Sequence, residues 1–144
     1  RGCCLSRGLG DGYKRQRQRG LDGSQLALVG FSQGTMMSLH VGLRRAVAPA
    51  CILGYSGALA VPERLGDEMT CRPPVLMLHG DADDMLPVSR MHQAVQALGE
   101  AGLPVQWHVS HGLGHGIDQT GLELGGRFIE DAFAGRLQGV VAAG

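Results

Sequence analysis

Short apolar runs alternate with longer segments of helical periodicity along this chain. Three apolar runs and one alternating run predict strands, and three periodic segments predict helices. The predicted strands are Leu26 to Val29, Cys51 to Tyr55, Val75 to Leu78 and Val105 to Val109, and the predicted helices are Gln33 to Arg45, Val88 to Ala101 and Thr120 to Phe133. Strands that alternate with helices indicate an α/β domain with a mostly parallel sheet and flanking helices.

A G-x-S-x-G pentapeptide, Gly30 to Gly34, follows the first predicted strand and opens the first predicted helix. A serine at such a junction is typical of a nucleophile elbow, a sharp turn that exposes a reactive hydroxyl. We expect strained backbone at Ser32, and too little space for a side chain at Gly30 or Gly34. In a chain with 24 glycines the pattern alone is weak, so other segments must support it.

An acidic loop and a histidine loop follow two later predicted strands. Asp81, Asp83 and Asp84 come after the third strand, and His111 and His115 come after the fourth. Loops at the carboxyl ends of parallel strands form the ligand sites of open α/β sheets. The order serine, aspartate, histidine is that of α/β-hydrolase triads. Position alone leaves the choice among the three aspartates open, and an Asx turn is the alternative role for Asp83.

From Leu21 to Phe133 the chain resembles the C-terminal part of the phospholipase/carboxylesterase family, the acyl-protein thioesterase-like α/β-hydrolases. Three stretches carry the resemblance, namely Leu26 to Met37 (LALVGFSQGTMM), Val75 to Pro87 (VLMLHGDADDMLP) and Gly112 to Asp118 (GLGHGID). The resemblance implies an α/β-hydrolase fold, and we expect it to be N-terminally truncated here.

The resemblance also implies which residues act. The family pattern H-G-x-x-D-x-x-V-P aligns with residues 79–87 and makes Asp83 the triad acid, with Leu86 in place of the usual valine. A glycine-histidine pair makes His115, and not His111, the base. The implied chemistry is acyl transfer to Ser32 from a small-molecule ester or thioester, without a metal or organic cofactor.

The resemblance implies two oxyanion donors. The Gln33 backbone N–H is the first, and a glycine-rich loop after an early strand normally supplies the second. Residues 1–20 contain no apolar run long enough for that strand. We therefore expect residues 1–20 to be an unmatched, disordered basic segment and residues 21–144 a partial α/β-hydrolase domain. An inactive hydrolase fragment or pseudoenzyme, and a lipid-binding module, are the alternatives to an active serine hydrolase.

Charge and composition bear on partners. Lys and Arg number 13, as do Asp and Glu, which argues against nucleic acid as a partner. No apolar stretch reaches transmembrane length, so we expect no stable membrane insertion and a cytoplasmic location. The four cysteines match no zinc or redox spacing. The first predicted strand has no Lys or Pro to protect a sheet edge, so self-association through it is expected if it lies exposed.

The remaining histidines are expected to have structural or surface roles. His40 and His92 fall on predicted helices, while His79 and His108 fall on predicted strands. We expect His79 to make a structural hydrogen bond at its strand end.

Overall fold

A four-stranded parallel sheet forms the centre of the computed structural model, which describes residues 20–137. The strands, in sheet order, are β1 (Ala27–Phe31), β2 (Cys51–Tyr55), β3 (Val75–Gly80) and β4 (Val105–Ser110). The helices are α1 (Gln33–Gly42), α2 (Leu65–Glu68), α3 (Val88–Glu100) and α4 (Gln119–Phe133). The predicted α/β class with a parallel sheet is confirmed. The basic segment predicted over residues 1–20 lies, except for Gly20, outside the described residues.

Alternation along the buried strands divides the core between the two faces of the sheet. On β2 and β3, Ile52, Val75 and Met77 join the cluster that also holds residues of α1 and α3. Their neighbours Leu53 and Leu76 belong to a second cluster with Phe128 of α4. Strands covered on both faces read as continuous apolar runs, which is why the sequence reveals them clearly.

The structure corrects the predicted end of the first helix. The first helix ends at Gly42 and not at Arg45, and Arg44 then folds back so that its guanidinium contacts Glu68 at 2.7 Å and donates to the His40 carbonyl oxygen. Gly42 packs so closely against Ile52 that a Cβ there would overlap the isoleucine side chain. The connection after β2 contains a 3-10 turn and α2.

Strand β1 lies at one edge of the sheet and pairs only with β2 in the part of the chain that the structure describes. Leu28 faces the core, whereas Val29 is 54% exposed and Phe31 is 42% exposed. The expected unprotected apolar edge is thus present among residues 20–137. In the same residues, no helix is both long enough and apolar enough to cross a bilayer.

Candidate active site

Ser32 occupies the tight turn between β1 and α1, with φ 54° and ψ −116°. A positive φ is strained for a residue with a side chain, so neighbouring contacts must hold this conformation. The carbonyl oxygen of Tyr55, at the end of β2, makes two such contacts. It accepts the backbone N–H of Ser32 at 2.9 Å and the hydroxyl of Thr35 at 2.8 Å. The predicted backbone strain at Ser32 is confirmed.

The two glycines of the pentapeptide differ in their surroundings. A Cβ at Gly30 would lie less than 3.0 Å from backbone atoms of Gly34 and Thr35, so only glycine fits there. A Cβ at Gly34 would meet no atom within 4 Å. The prediction that a side chain at Gly34 would collide is wrong, because this residue lies in the first turn of α1 and its missing side chain would point into open space.

Asp83 is buried in the loop after β3, with 6% of its surface exposed. Its Oδ1 accepts the backbone N–H groups of Met85 at 3.0 Å and Leu86 at 2.9 Å. Its Oδ2 is 2.7 Å from Nδ1 of His115 and 3.3 Å from Nε2 of His79. Both carboxylate oxygens therefore have defined partners, and Oδ2 is directed at the imidazole of His115.

Opposing effects act on the ionisation of Asp83. Desolvation by burial raises its pKa, but hydrogen bonds from Leu86 N–H, His115 and Met85 N–H together outweigh burial. The net result is a pKa below the ordinary value of 3.8. The side chain is accordingly a carboxylate at neutral pH and can stabilise positive charge on His115.

His115 bridges the acid and the serine. Its Nε2 lies 3.1 Å from Ser32 Oγ, while Nδ1 faces the Asp83 carboxylate. Because the carboxylate can only accept, Nδ1 carries a hydrogen and neutral His115 presents the lone pair of Nε2 to the serine hydroxyl. The ring of Phe31 lies against the imidazole, with centroids 5.0 Å apart. The three residues thus form one continuous hydrogen-bonded chain.

A second histidine-aspartate pair lies beside the first. Asp81 accepts from His111 Nδ1 and from the Gly112 backbone N–H, both at 2.7 Å. These bonds lower the pKa of Asp81, the His111 contact most. The His111 side chain is 98% exposed, so its ring points into solvent and not toward Ser32. Asp84 is exposed as well. The structure therefore brings Asp83 and His115 to the serine and leaves their competitors outside.

Gln33 is the first residue of α1, directly after the serine. Backbone N–H groups in the first turn of a helix have no intrahelical acceptor and carry the positive end of the helix dipole. The Gln33 N–H is thus available to an anion that forms at Ser32. None of the described His, Cys, Asp and Glu side chains form a group of three that could hold a metal ion.

Sequence reasoning missed two supporting residues. Thr35 holds the elbow, and the hydroxyl of Ser56, at the end of β2, donates to the Gly116 carbonyl oxygen at 3.1 Å and so fixes the residue after His115. Ser56 is fully buried and has a positive φ of 45°, which marks a second strained turn beside the site. Its position just after an apolar strand is the sequence signal for this role.

The sequence model of the phospholipase/carboxylesterase family matches residues 13–132. "Acyl-protein thioesterase 1" of Gibberella zeae is 33% identical over 101 residues, which cover 67% of this chain and 43% of that protein. "Esterase YpfH" of Escherichia coli is 28% identical over 110 residues, which cover 76% of this chain and 46% of that protein.

The crystal structure of esterase PE8 superimposes with a TM-score of 0.81 at 39% identity, covering 83% of this chain and 56% of that chain. The chain therefore has an α/β-hydrolase fold, and it spans about half the length of the curated relatives it matches. The family match includes the strand, the elbow, the acid loop and the histidine loop described above. The chain belongs to the phospholipase/carboxylesterase family.

Proposed function

We propose that the protein is a serine hydrolase that cleaves carboxylic esters or thioesters through an acyl-enzyme. Ser32 is the nucleophile, His115 the general base and Asp83 the residue that orients it. The continuous chain of contacts from Ser32 Oγ to His115 at 3.1 Å and from His115 to Asp83 at 2.7 Å carries this proposal. The three side chains lie in three different loops, which follow the carboxyl ends of β1, β3 and β4. Local structure alone does not require these side chains to meet.

In the acylation step, Ser32 Oγ attacks the carbonyl carbon of the substrate and its proton passes to His115 Nε2. The Asp83 carboxylate stabilises the imidazolium. The Gln33 backbone N–H donates to the oxyanion of the tetrahedral intermediate. Nε2 then returns the proton to the leaving alkoxide or thiolate, which departs as an alcohol or thiol. Water, deprotonated by the same nitrogen, then attacks the acyl carbon. The bond from that carbon to Ser32 Oγ breaks, the carboxylic acid leaves, and Nε2 returns the proton to Oγ.

The names of the relatives favour acyl esters and acyl thioesters as the substrate class. Phe31 supports an apolar acyl group, because its exposed ring lies directly beside His115. Met85, which is 74% exposed in the acid loop, offers a further apolar side chain. We place this activity in the cytoplasm.

An inactive hydrolase-like protein is the second candidate, and one observation favours it. Residues 20–137 offer the Gln33 N–H as an oxyanion donor, but β1 is the first strand in that range, so the family's glycine-rich loop after an earlier strand is not among these residues. Loss of one such donor typically lowers turnover by about 10²- to 10³-fold.

A lipid-binding module, the third candidate, would bind an acyl ligand equally well after Ser32→Ala. The β1 edge with exposed Val29 and Phe31 supports self-association in any of these cases.

Hydrolysis of a matched oxyester and thioester with the same acyl group tests the proposal. Ser32→Ala and His115→Ala should abolish turnover while circular dichroism stays unchanged. His92→Ala is the matched control, since this exposed histidine on α3 packs on Trp107 and lies outside the site. Turnover that persists in Ser32→Ala, or no turnover by folded wild-type protein, would contradict the enzyme proposal. Acyl-ligand binding without turnover would favour the lipid-binding module.

A further inference from the structure

The imidazole of His79 is almost fully buried beneath the acid loop, at 2% exposure. Its Nε2 lies 2.8 Å from the carbonyl oxygen of Leu86 and 3.3 Å from Oδ2 of Asp83. Its Nδ1 is buried and has no hydrogen-bond partner among residues 20–137. The expected structural hydrogen bond is confirmed, but the mechanism described above assigns no task to this ring.

These contacts select one form of the ring. A nitrogen 2.8 Å from a carbonyl oxygen must carry a hydrogen, because two facing lone pairs repel, so Nε2 of His79 donates to Leu86. The hydrogen-bond network therefore places a hydrogen on Nε2.

Leu86 links this donor to the acid. Its carbonyl oxygen accepts from His79, while its N–H donates to Oδ1 of Asp83. His79 thus closes the loop between the end of β3 and Leu86. Nε2 of His79 also lies 3.3 Å from Oδ2 of Asp83, the oxygen that contacts His115. His79 therefore holds Oδ1 of Asp83 through Leu86 and lies close to Oδ2.

We propose that His79 is a positioning residue, whose Nε2–H closes the acid loop and keeps Oδ2 of Asp83 directed at His115. The catalytic consequence rests on the proposed function, because only a working triad gives Asp83 this task. His79 touches neither Ser32 nor the Gln33 N–H in the described contacts. Its loss should therefore lower the rate of the chemical step and leave substrate binding unchanged.

Three substitutions separate hydrogen bonding from volume. His79→Leu keeps an apolar body and removes the donor. His79→Gln places an amide N–H near the position of Nε2, within reach of Leu86, whereas the shorter His79→Asn places it near Nδ1, where no acceptor lies among the described residues. We expect kcat and the rate of fluorophosphonate labelling to fall by about 10- to 100-fold in the Leu and Asn variants. KM should stay unchanged, and Gln should restore most of the rate.

A nuclear magnetic resonance measurement gives a readout that does not need activity. The His115 Nδ1–H, held against Asp83, should give a low-field signal in wild type and His79→Gln, and that signal should be lost in His79→Asn and His79→Leu. Equal labelling rates and signals in the Gln and Asn variants would overturn the proposal. If His79→Leu does not fold, the Gln and Asn pair decides. Wild-type protein that shows the signal but is never labelled would refute the hydrolase proposal, and the signals of the variants would still test the positioning role.

Discussion

Alanine at the two glycines of the elbow should have opposite consequences. In Gly30→Ala the new Cβ would lie under 3.0 Å from the C and O atoms of Gly34 and the N atom of Thr35, whereas ordinary contact begins at 3.4 Å. All three are backbone atoms, so no side chain can rotate away. The first turn of α1 must then move away from β1 before these contacts reach an ordinary distance.

Overpacking of this kind costs about 1–3 kcal/mol in the free energy of unfolding, and rigid backbone partners favour the upper end. Gly34→Ala meets no atom within 4 Å and lies in the first turn of α1. Alanine loses less backbone entropy than glycine in a helix, so we expect between no change and a gain of about 1 kcal/mol.

Urea unfolding followed by far-ultraviolet circular dichroism measures both free energies. The rate of fluorophosphonate labelling measures the position of Ser32, because a displacement approaching 1 Å can reduce a rate by about a hundredfold. Gly30→Ala should therefore lose both stability and labelling, and Gly34→Ala should keep both. Equal stabilities for the two variants, or a stable and fully reactive Gly30→Ala, would refute this account of the elbow.

Three other predictions concern the acid, the pH and the sheet edge. Asp83→Asn should lower the labelling rate by roughly 10⁴-fold, which is the effect of losing this carboxylate in serine triads. The melting temperature should stay within a few degrees of the wild-type value. An unchanged labelling rate would exclude Asp83 as the acid. The pKa values of Asp83 and Asp118 are below 3.8 in the folded protein, Asp118 chiefly because it accepts the Gly121 N–H. A depressed folded pKa stabilises the protein above the unfolded value, and this contribution is lost as the pH falls through the folded pKa. The melting temperature should thus be constant near neutral pH and should decrease when the pH is lowered below about 4. This decrease should be less steep in Asp118→Asn than in wild type. Equal slopes in the two proteins would contradict the lowered pKa of Asp118. Val29→Lys on the exposed edge should shift sedimentation toward monomer, and an oligomeric state independent of this charge would show that β1 is not the contact.

Strands and the elbow were predictable from the sequence because their signals are local. A strand that is covered on both faces gives a continuous apolar run in the sequence. The serine between β1 and α1 belongs to a five-residue pattern that can be recognised in the same way. Asp83 was harder to predict, because Asp81 and Asp84 lie in the same acidic loop and only the family pattern distinguishes the three residues. The structure separates them physically, because Asp83 is buried and the other two are exposed.

Tertiary contacts account for what the sequence did not reveal. The bond from Thr35 to Tyr55 spans 20 residues, and that from Ser56 to Gly116 spans 60. Neither leaves a periodic trace in the chain. The lack of space for a side chain at Gly42 is likewise a tertiary effect, because it comes from the close approach of Ile52 in the next strand. Gly34 was mispredicted because the pentapeptide treats both glycines alike, although only Gly30 faces backbone.

The central claim is that Ser32, His115 and Asp83 together form an activated nucleophile, and peptide mapping of the fluorophosphonate adduct tests it most directly. The reagent reacts with an activated serine and requires no knowledge of the natural substrate. We predict a single adduct on the peptide that contains Ser32, absent from both Ser32→Ala and His115→Ala. A folded wild-type protein without an adduct, or an adduct on another residue that survives Ser32→Ala, would contradict the account.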